Sequence, residues 1–197
     1  MPEPSNPEAS TPSASEIEAL ARRIDRPVVL VGMMGVGKTS VGRRLATALR
    51  FDFVDADDAI VDAAQMSVAE IFERYGEDYF RAGERRVILR LLDERPTETG
   101  RVIATGGGAF ADPATRALIL ERGMAVWLDS DVDTLLERVG RNANRPLLQQ
   151  GNPRETIVRL KAVREEHYRE APIHVQSRTG PHQRTVAAIL RGIEQWL

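Results

Sequence analysis

A glycine-rich turn ending in lysine and threonine, Gly32-Met-Met-Gly-Val-Gly37-Lys38-Thr39, matches G-x-x-x-x-G-K-[ST] at every fixed position. Glycines at this spacing let backbone N–H groups curl around phosphate oxygens. Lys38 can reach the β- and γ-phosphates, and the Thr39 hydroxyl can ligate Mg²⁺. Gly35, Val36 and Gly37, continuing through Lys38, Thr39 and Ser40, form the expected nucleotide cradle. The turn follows a short apolar run and opens a stretch of helical spacing, whose N-terminus favours anions. The chain has 25 arginines and only two lysines, Lys38 and Lys161. A sequence that writes Arg almost everywhere has kept Lys at position 38, which points to a chemical requirement there. No Asn-Lys pair is available to read guanine, so the expected nucleotide is ATP.

Three further constellations could act on an acceptor. Asp55-Ala-Asp57-Asp58 lies at the end of an apolar segment. If a strand extends that far, Asp55 and Asp57 point the same way. One could then hold a metal-bound water and the other an acceptor hydroxyl. A helix N-cap cluster explains the same residues equally well. Thr105-Gly-Gly-Gly108 suits close approach of a small ligand to bare backbone. Among the arginines, Arg81 follows Phe80 inside an amphipathic stretch, and Arg164 precedes His167-Tyr168. Arg138, Arg141 and Arg145 surround a loop too polar to be core. Asp129, ending Ala-Val-Trp-Leu, could superficially hold a metal. It reads better as the first turn of a following helix capped by Ser130 and Asp131.

The elements that must carry these groups alternate strand and helix. Short apolar runs predict strands at 28–31, 51–54, 102–104, 125–128 and 173–176. Helical spacing covers 39–49, and Ser67-x-x-Glu70 is a capping box that opens another helix. Gly76 breaks that helix, and a longer one runs from Glu77 to Glu94. Asp112-Pro113 caps the next. Further helices are expected at 131–139, 153–169 and 185–197. This order implies a doubly wound α/β sheet with ligands outside the carboxyl ends of its strands.

Composition narrows the function classes. The chain has 197 residues, 27 basic and 29 acidic, so its net charge of −2 offers no field for nucleic acid or an anionic membrane. With no cysteine, disulfides, thiolate zinc sites and a Cys nucleophile are excluded, and a cytoplasmic setting is compatible. No apolar run approaches the ~20 residues a membrane helix needs. The opening MPEPSNPEASTPSAS holds four of eleven prolines, and its early acids fit neither a secretory signal nor a transit peptide. Residues 1–25 are therefore expected to be a disordered tail, dispensable for folding and activity, on a single domain spanning 26–197.

Taken in order, the motifs resemble shikimate kinase from about Val28 to Leu190. Gly32 to Gly42 is similar to the family's phosphate loop. Phe53-Val-Asp-Ala-Asp57 resembles its D-[TS]-D segment, departing only at the central Ala. Gly76-Glu-Asp-Tyr-Phe-Arg81, Thr105-Gly-Gly-Gly-Ala109, Arg145-Pro-Leu-Leu148 and Arg164-Glu-Glu-His-Tyr168 are similar to four more of its motifs. The resemblance implies an adenylate-kinase-like P-loop fold, a three-layer sandwich on a five-stranded parallel sheet, with a mobile lid at about 140–152. It further implies that Asp57 orients the shikimate hydroxyls, Arg81 and Arg164 grip the carboxylate, and the Gly107 backbone touches a ring hydroxyl. Thr39 would ligate Mg²⁺ with Asp55 acting through water. Arg145 would reach over the phosphates from the lid, and Arg138 would lie near adenine. The implied reaction is ATP + shikimate → ADP + shikimate 3-phosphate, by a cytoplasmic monomer that needs no nucleic acid or membrane partner. A gluconate kinase would share the loop and lid but give no reason for Asp57 with Arg81 and Arg164. A ligand-sensing regulator descended from such a kinase would have no need of intact Lys38, Thr39, Asp57 and Arg145.

Overall fold

A computed structural model describes residues 12–94, 99–140, 152–178 and 180–197. Its centre is β1 (Val28–Val31), four residues that are all fully buried. Successive strand residues face opposite ways, so such a run needs cover on both sides. Val29 meets the layer formed by α4 (Val68–Asp93) and α5 (Pro113–Arg122), where a methyl added at Gly123 would strike Val29 Cγ2 at 2.8 Å and Leu92 Cδ2 at 3.1 Å. Leu30 faces α2 (Lys38–Leu49), its Cδ1 3.2 Å from where a methyl on Gly42 would sit. Helices therefore cover both faces.

Four strands join β1 in the order β2-β3-β1-β4-β5, and every pairing is parallel. They are β2 (Asp52–Asp55), β3 (Arg101–Ala104), β4 (Met124–Asp129) and β5 (Ile173–Gln176). The five strands lie where apolar runs predict them. The parallel register carries the phosphate loop, Asp55 and the Thr105–Gly108 turn to one edge, because each follows the carboxyl end of its strand. The chain passes from β1 to β2 on one side and from β3 to β4 on the other, which opens a crevice beside β1.

Between β2 and β3 lie α3 (Ala56–Ala64) and the long α4. Ser67 and Glu70 form the expected capping box on α4. At Gly76 the helix is interrupted at φ 79° and ψ 177°, although nothing lies within 4 Å of where a side chain would begin. Glycine is needed there for its backbone freedom and not for space. A 3-10 turn (Ala109–Ala111), α6 (Val132–Gly140), α7 (Pro153–Tyr168) and α8 (His182–Trp196) complete the fold.

Two expectations are corrected. Residues 1–11 lie outside the described residues, but Ala14–Arg23 is a helix, α1, and not part of a disordered tail. The proline-rich composition ends at Pro12. Ser13 and Glu16 then close a capping box, and Ile17, Leu20, Ala21 and Ile24 form a stripe packed on the core beside α2 and α8. Averaging composition over the first fifteen residues hides that pattern. Asp129 does not lie in a helix. It ends β4, pairs with Lys161 of α7, and accepts a hydrogen bond from Gln176 Nε2 at 2.8 Å. Asp131 does cap α6, through the Thr134 N–H at 2.8 Å.

The position of α1 makes the start of the chain structural. Deleting residues 1–24 should lower the denaturation midpoint, and Leu20→Ala alone should cost about 2–4 kcal/mol, the range for removing a buried leucine. Deleting only 1–11 should change the midpoint little, as urea titration of the three variants would show.

Candidate active site

A cavity of about 710 Å³ opens along the carboxyl edge of the sheet. The phosphate loop forms its floor. Gly35 and Gly37 have φ of 80° and 99°, which a residue with a Cβ adopts only under strain. A methyl on Gly32 would meet the Leu128 carbonyl oxygen at 2.3 Å, so the loop starts where β1 and β4 leave no room. Lys38, only 8% exposed, donates to the carbonyls of Gly32 at 2.7 Å and Met33 at 3.0 Å. Its ammonium thus crosses the loop it must serve. Ser40 and Thr39 line the cavity at the start of α2.

Arg138 of α6 braces the loop from outside. Its guanidinium donates to the Val36 carbonyl at 2.9 Å, Ser177 Oγ at 3.1 Å and the Arg178 carbonyl at 2.8 Å. It also lines the cavity, with Gly180 and His182 of the segment that opens α8. Burial, with Arg44 and Arg138 nearby, lowers the pKa of His182, so its imidazole is neutral at neutral pH.

On the opposite wall, the N-cap reading of the aspartate cluster holds, and the strand does not extend to Asp57. The strand ends at Asp55, which caps α3 by accepting from the Asp57 N–H at 3.1 Å. Its other oxygen accepts from Thr39 Oγ1 at 2.7 Å, which joins the cap to the phosphate loop. Asp57 sits in the first helical turn rather than on a strand, yet still lines the cavity.

The triple glycine explains itself residue by residue. A methyl on Gly106 would meet Asp57 Oδ1 at 2.8 Å and Glu84 Oε1 at 3.0 Å. On Gly107 it would meet the Met34 N–H nitrogen at 3.0 Å, and on Gly108 the Arg81 guanidinium at 2.6 Å. The three positions make room for two carboxylates, the phosphate loop and an arginine respectively. From α7, Arg164 Nη1 and the Tyr168 hydroxyl both donate to the Gly107 carbonyl, at 2.9 and 2.5 Å. Arg81 and Arg164 therefore converge on adjacent residues of one turn, beside Asp57.

The two arginines are not electrostatically alike. Arg81 pairs with Glu84 at 2.7 Å and with Glu77 at 3.0 Å. Burial pulls its pKa down, but the two glutamates outweigh that and the net shift is upward. Arg164 makes no ion pair among the described residues. Glu84, 1% exposed, is the group that sequence reading missed. Burial pushes its carboxyl up, and Arg81 offsets this only in part, with Asp57 and Asp112 adding to the rise. Its signal was faint: a glutamate three residues after Arg81 on a helix face. His182 was missed for want of any local motif. Arg141, Arg145 and nearly all of the expected lid at 140–152 lie outside the described residues.

Residues 34–194 match the shikimate kinase family. A shikimate kinase from Novosphingobium aromaticivorans is 63% identical over 190 residues, covering 96% of this chain and 98% of that protein. This chain belongs to the shikimate kinase family. Its fold agrees with that of a shikimate kinase from Acinetobacter baumannii in complex with shikimate, at TM-score 0.82 and 35% identity over 93% of this chain and 98% of that one. A gluconokinase from Sinorhizobium meliloti shares the fold, at TM-score 0.60 and 18% identity over 88% of this chain and 94% of its own. That likeness extends to architecture alone. As a shikimate kinase family member the chain is an ATP-dependent phosphotransferase.

Removing one member of the Arg81–Glu84 pair leaves the other buried without its counter-charge. Arg81→Met should destabilise the fold by about 3–5 kcal/mol near pH 8, and Arg81→Met with Glu84→Gln should recover most of it. Because the folded-state pKa of Glu84 is raised, its charged form costs stability above that pKa. The loss in the single variant should therefore shrink as pH falls through the folded pKa toward the ordinary glutamate value. Urea unfolding from pH 5 to 8 measures both effects.

Proposed function

We propose that this protein transfers the γ-phosphoryl group of ATP to the 3-hydroxyl of shikimate, giving ADP and shikimate 3-phosphate. The observation that carries this reading is the convergence of Arg81, Arg164 and Asp57 on one glycine turn next to the phosphate loop. Shikimate is a small carboxylate with three hydroxyls. Planar guanidinium groups suit the first and a carboxylate acceptor suits the second. That the Acinetobacter relative is a complex with shikimate supports the same acceptor.

In this reading ATP lies along the loop with its adenine toward Arg138. The backbone at Gly35, Val36 and Gly37 holds its phosphates, with Ser40 on the first turn of α2. Lys38 exchanges its loop carbonyls for β- and γ-oxygens and offsets the charge that develops as the β–γ bridge bond breaks. Arg81 and Arg164 fix the acceptor carboxylate, and Gly107 supplies backbone to a ring hydroxyl. Asp57 orients the 3-hydroxyl and takes its proton as the new oxygen–phosphorus bond forms. Arg145 would close over the phosphates from the lid, excluding water as a competing acceptor.

The donor set near the phosphates suits Mg²⁺. Thr39 Oγ1 and Asp55 Oδ2 are hard oxygen ligands 2.7 Å apart. Among the described residues no cluster of three His, Cys, Asp or Glu could cage a metal. Mg²⁺ binds in this sparse manner, keeping waters and taking its other oxygens from substrate phosphates. Thr39 would ligate the ion directly and Asp55 through water, and the ion when bound would neutralise charge on the β- and γ-oxygens. The proposal also takes the enzyme to be a cytoplasmic monomer acting on small molecules, in keeping with a cysteine-free chain that carries a complete set of acceptor groups.

The test is coupled ADP release with and without shikimate, together with titration of each substrate. Turnover should require shikimate, and gluconate should not replace it. Lys38→Ala should reduce turnover about 10²–10³-fold or more, the cost of one charge-stabilising group. Arg164→Ala should weaken shikimate binding by roughly 2–3 kcal/mol while leaving ATP binding nearly unchanged. Asp57→Asn should depress kcat far more than ATP affinity. If the parent protein binds no shikimate, the acceptor assignment is wrong.

A further inference from the structure

The Gly107 carbonyl is held twice, by two side chains one turn apart on α7. A carbonyl oxygen has two lone pairs, and here Arg164 and Tyr168 occupy both. Tyr168 is 1% exposed, and its ring packs with those of Phe110 and Trp127, with centroids 6.4 and 6.0 Å away. The Arg164 guanidinium also lies within hydrogen-bonding reach of the Tyr168 hydroxyl, and the Met33 sulfur is 4.0 Å away. On its far side, the Gly107 backbone abuts the Met34 nitrogen of the phosphate loop. Gly107 thus lies between the phosphate loop and α7.

We infer that Tyr168 is a positioning residue that fixes the Arg164 guanidinium on the Gly107 carbonyl, so that Arg164 meets the acceptor's carboxylate in a set orientation. The inference rests on the reading of shikimate as acceptor. A guanidinium has five N–H donors, so one hydrogen of Arg164 Nη1 can stay on Gly107 while others face a carboxylate. The Tyr168 hydroxyl holds the same carbonyl and lies beside the same guanidinium, which restricts the poses open to the arginine. Without the hydroxyl, Arg164 is the one of the two side chains left on the carbonyl, and its guanidinium loses that guide. Burial pushes the Tyr168 phenol up to about 12, the nearby Arg164 only moderating the rise, so the group remains a donor across the working pH range.

Tyr168→Phe removes only the hydroxyl and conserves the stacked ring. In the full-length enzyme it should raise the Kd and KM for shikimate about tenfold, the scale of one hydrogen bond. The KM for ATP should stay within about twofold of the parent. A general packing role would instead act on any background. The decisive comparison is therefore Arg164→Ala against Arg164→Ala with Tyr168→Phe, in which loss of the hydroxyl should leave shikimate affinity unchanged. The inference is overturned if Tyr168→Phe binds shikimate like the parent, or if it costs the same factor with and without Arg164. Failure of the unmodified enzyme to bind shikimate would instead overturn the acceptor assignment itself, a separate result from the same titration.

Discussion

Everything at this site depends on bare backbone where β3 ends. The parallel register places three different things against three consecutive residues: a carboxylate pair at Gly106, the phosphate loop at Gly107 and a guanidinium at Gly108. None of these neighbours can retreat cheaply. Glu84 is buried, the Met34 nitrogen belongs to a loop shaped by positive φ at Gly35 and Gly37, and Arg81 is held by two glutamates. A side chain at any of the three positions would displace a different part of the machinery. The turn is thus a spacer of near-zero thickness, and it lets donor and acceptor groups lie on adjacent residues of one chain segment.

Electrostatic asymmetry follows from that crowding. Two arginines set against adjacent residues of one turn would repel each other. Glu84 removes much of this problem by pairing with Arg81 from below, leaving Arg164 as the arginine without an ion pair among the described residues. Arg81 is consequently oriented before any ligand arrives, whereas Arg164 is parked on a neutral carbonyl. The cost of this arrangement is a buried carboxylate close to Asp57, and the upward shift of Glu84 registers it. A charge network of this kind favours geometry over raw stability.

The fold was legible because its strands are short apolar runs bounded by glycine, proline or acids, and its helices carry their own caps. Val28–Val31, Ser67 with Glu70, and Asp112-Pro113 all state their structure within a few residues. The site was legible where chemistry dictates residue type, as at Lys38, Thr39 and the triple glycine. It was not legible where function arises from packing between distant segments. Glu84 gains its meaning only when α4 lies over Gly106, and His182 only when α8 starts beside Arg138. The error at α1 is of another kind. A proline-rich opening dominated the average, although a capping box and an apolar stripe followed it directly.

The scarcity of lysine applied to both lysines, though only one sits in a motif. An ammonium is a compact point charge with three donors, whereas a guanidinium is a broad planar fork. At position 38 the compact group reaches the carbonyls of two successive loop residues. At position 161 it pairs with Asp129 at the tip of β4, and Gln176 of β5 takes the same carboxylate's other oxygen. Lys161, Arg164 and Tyr168 fall at i, i+3 and i+7, on one face of α7. The first anchors the helix to the sheet and the last anchors it to the glycine turn, so the arginine between them is carried by a helix fixed at two points. The second lysine thus ties to the sheet the same helix that carries Arg164.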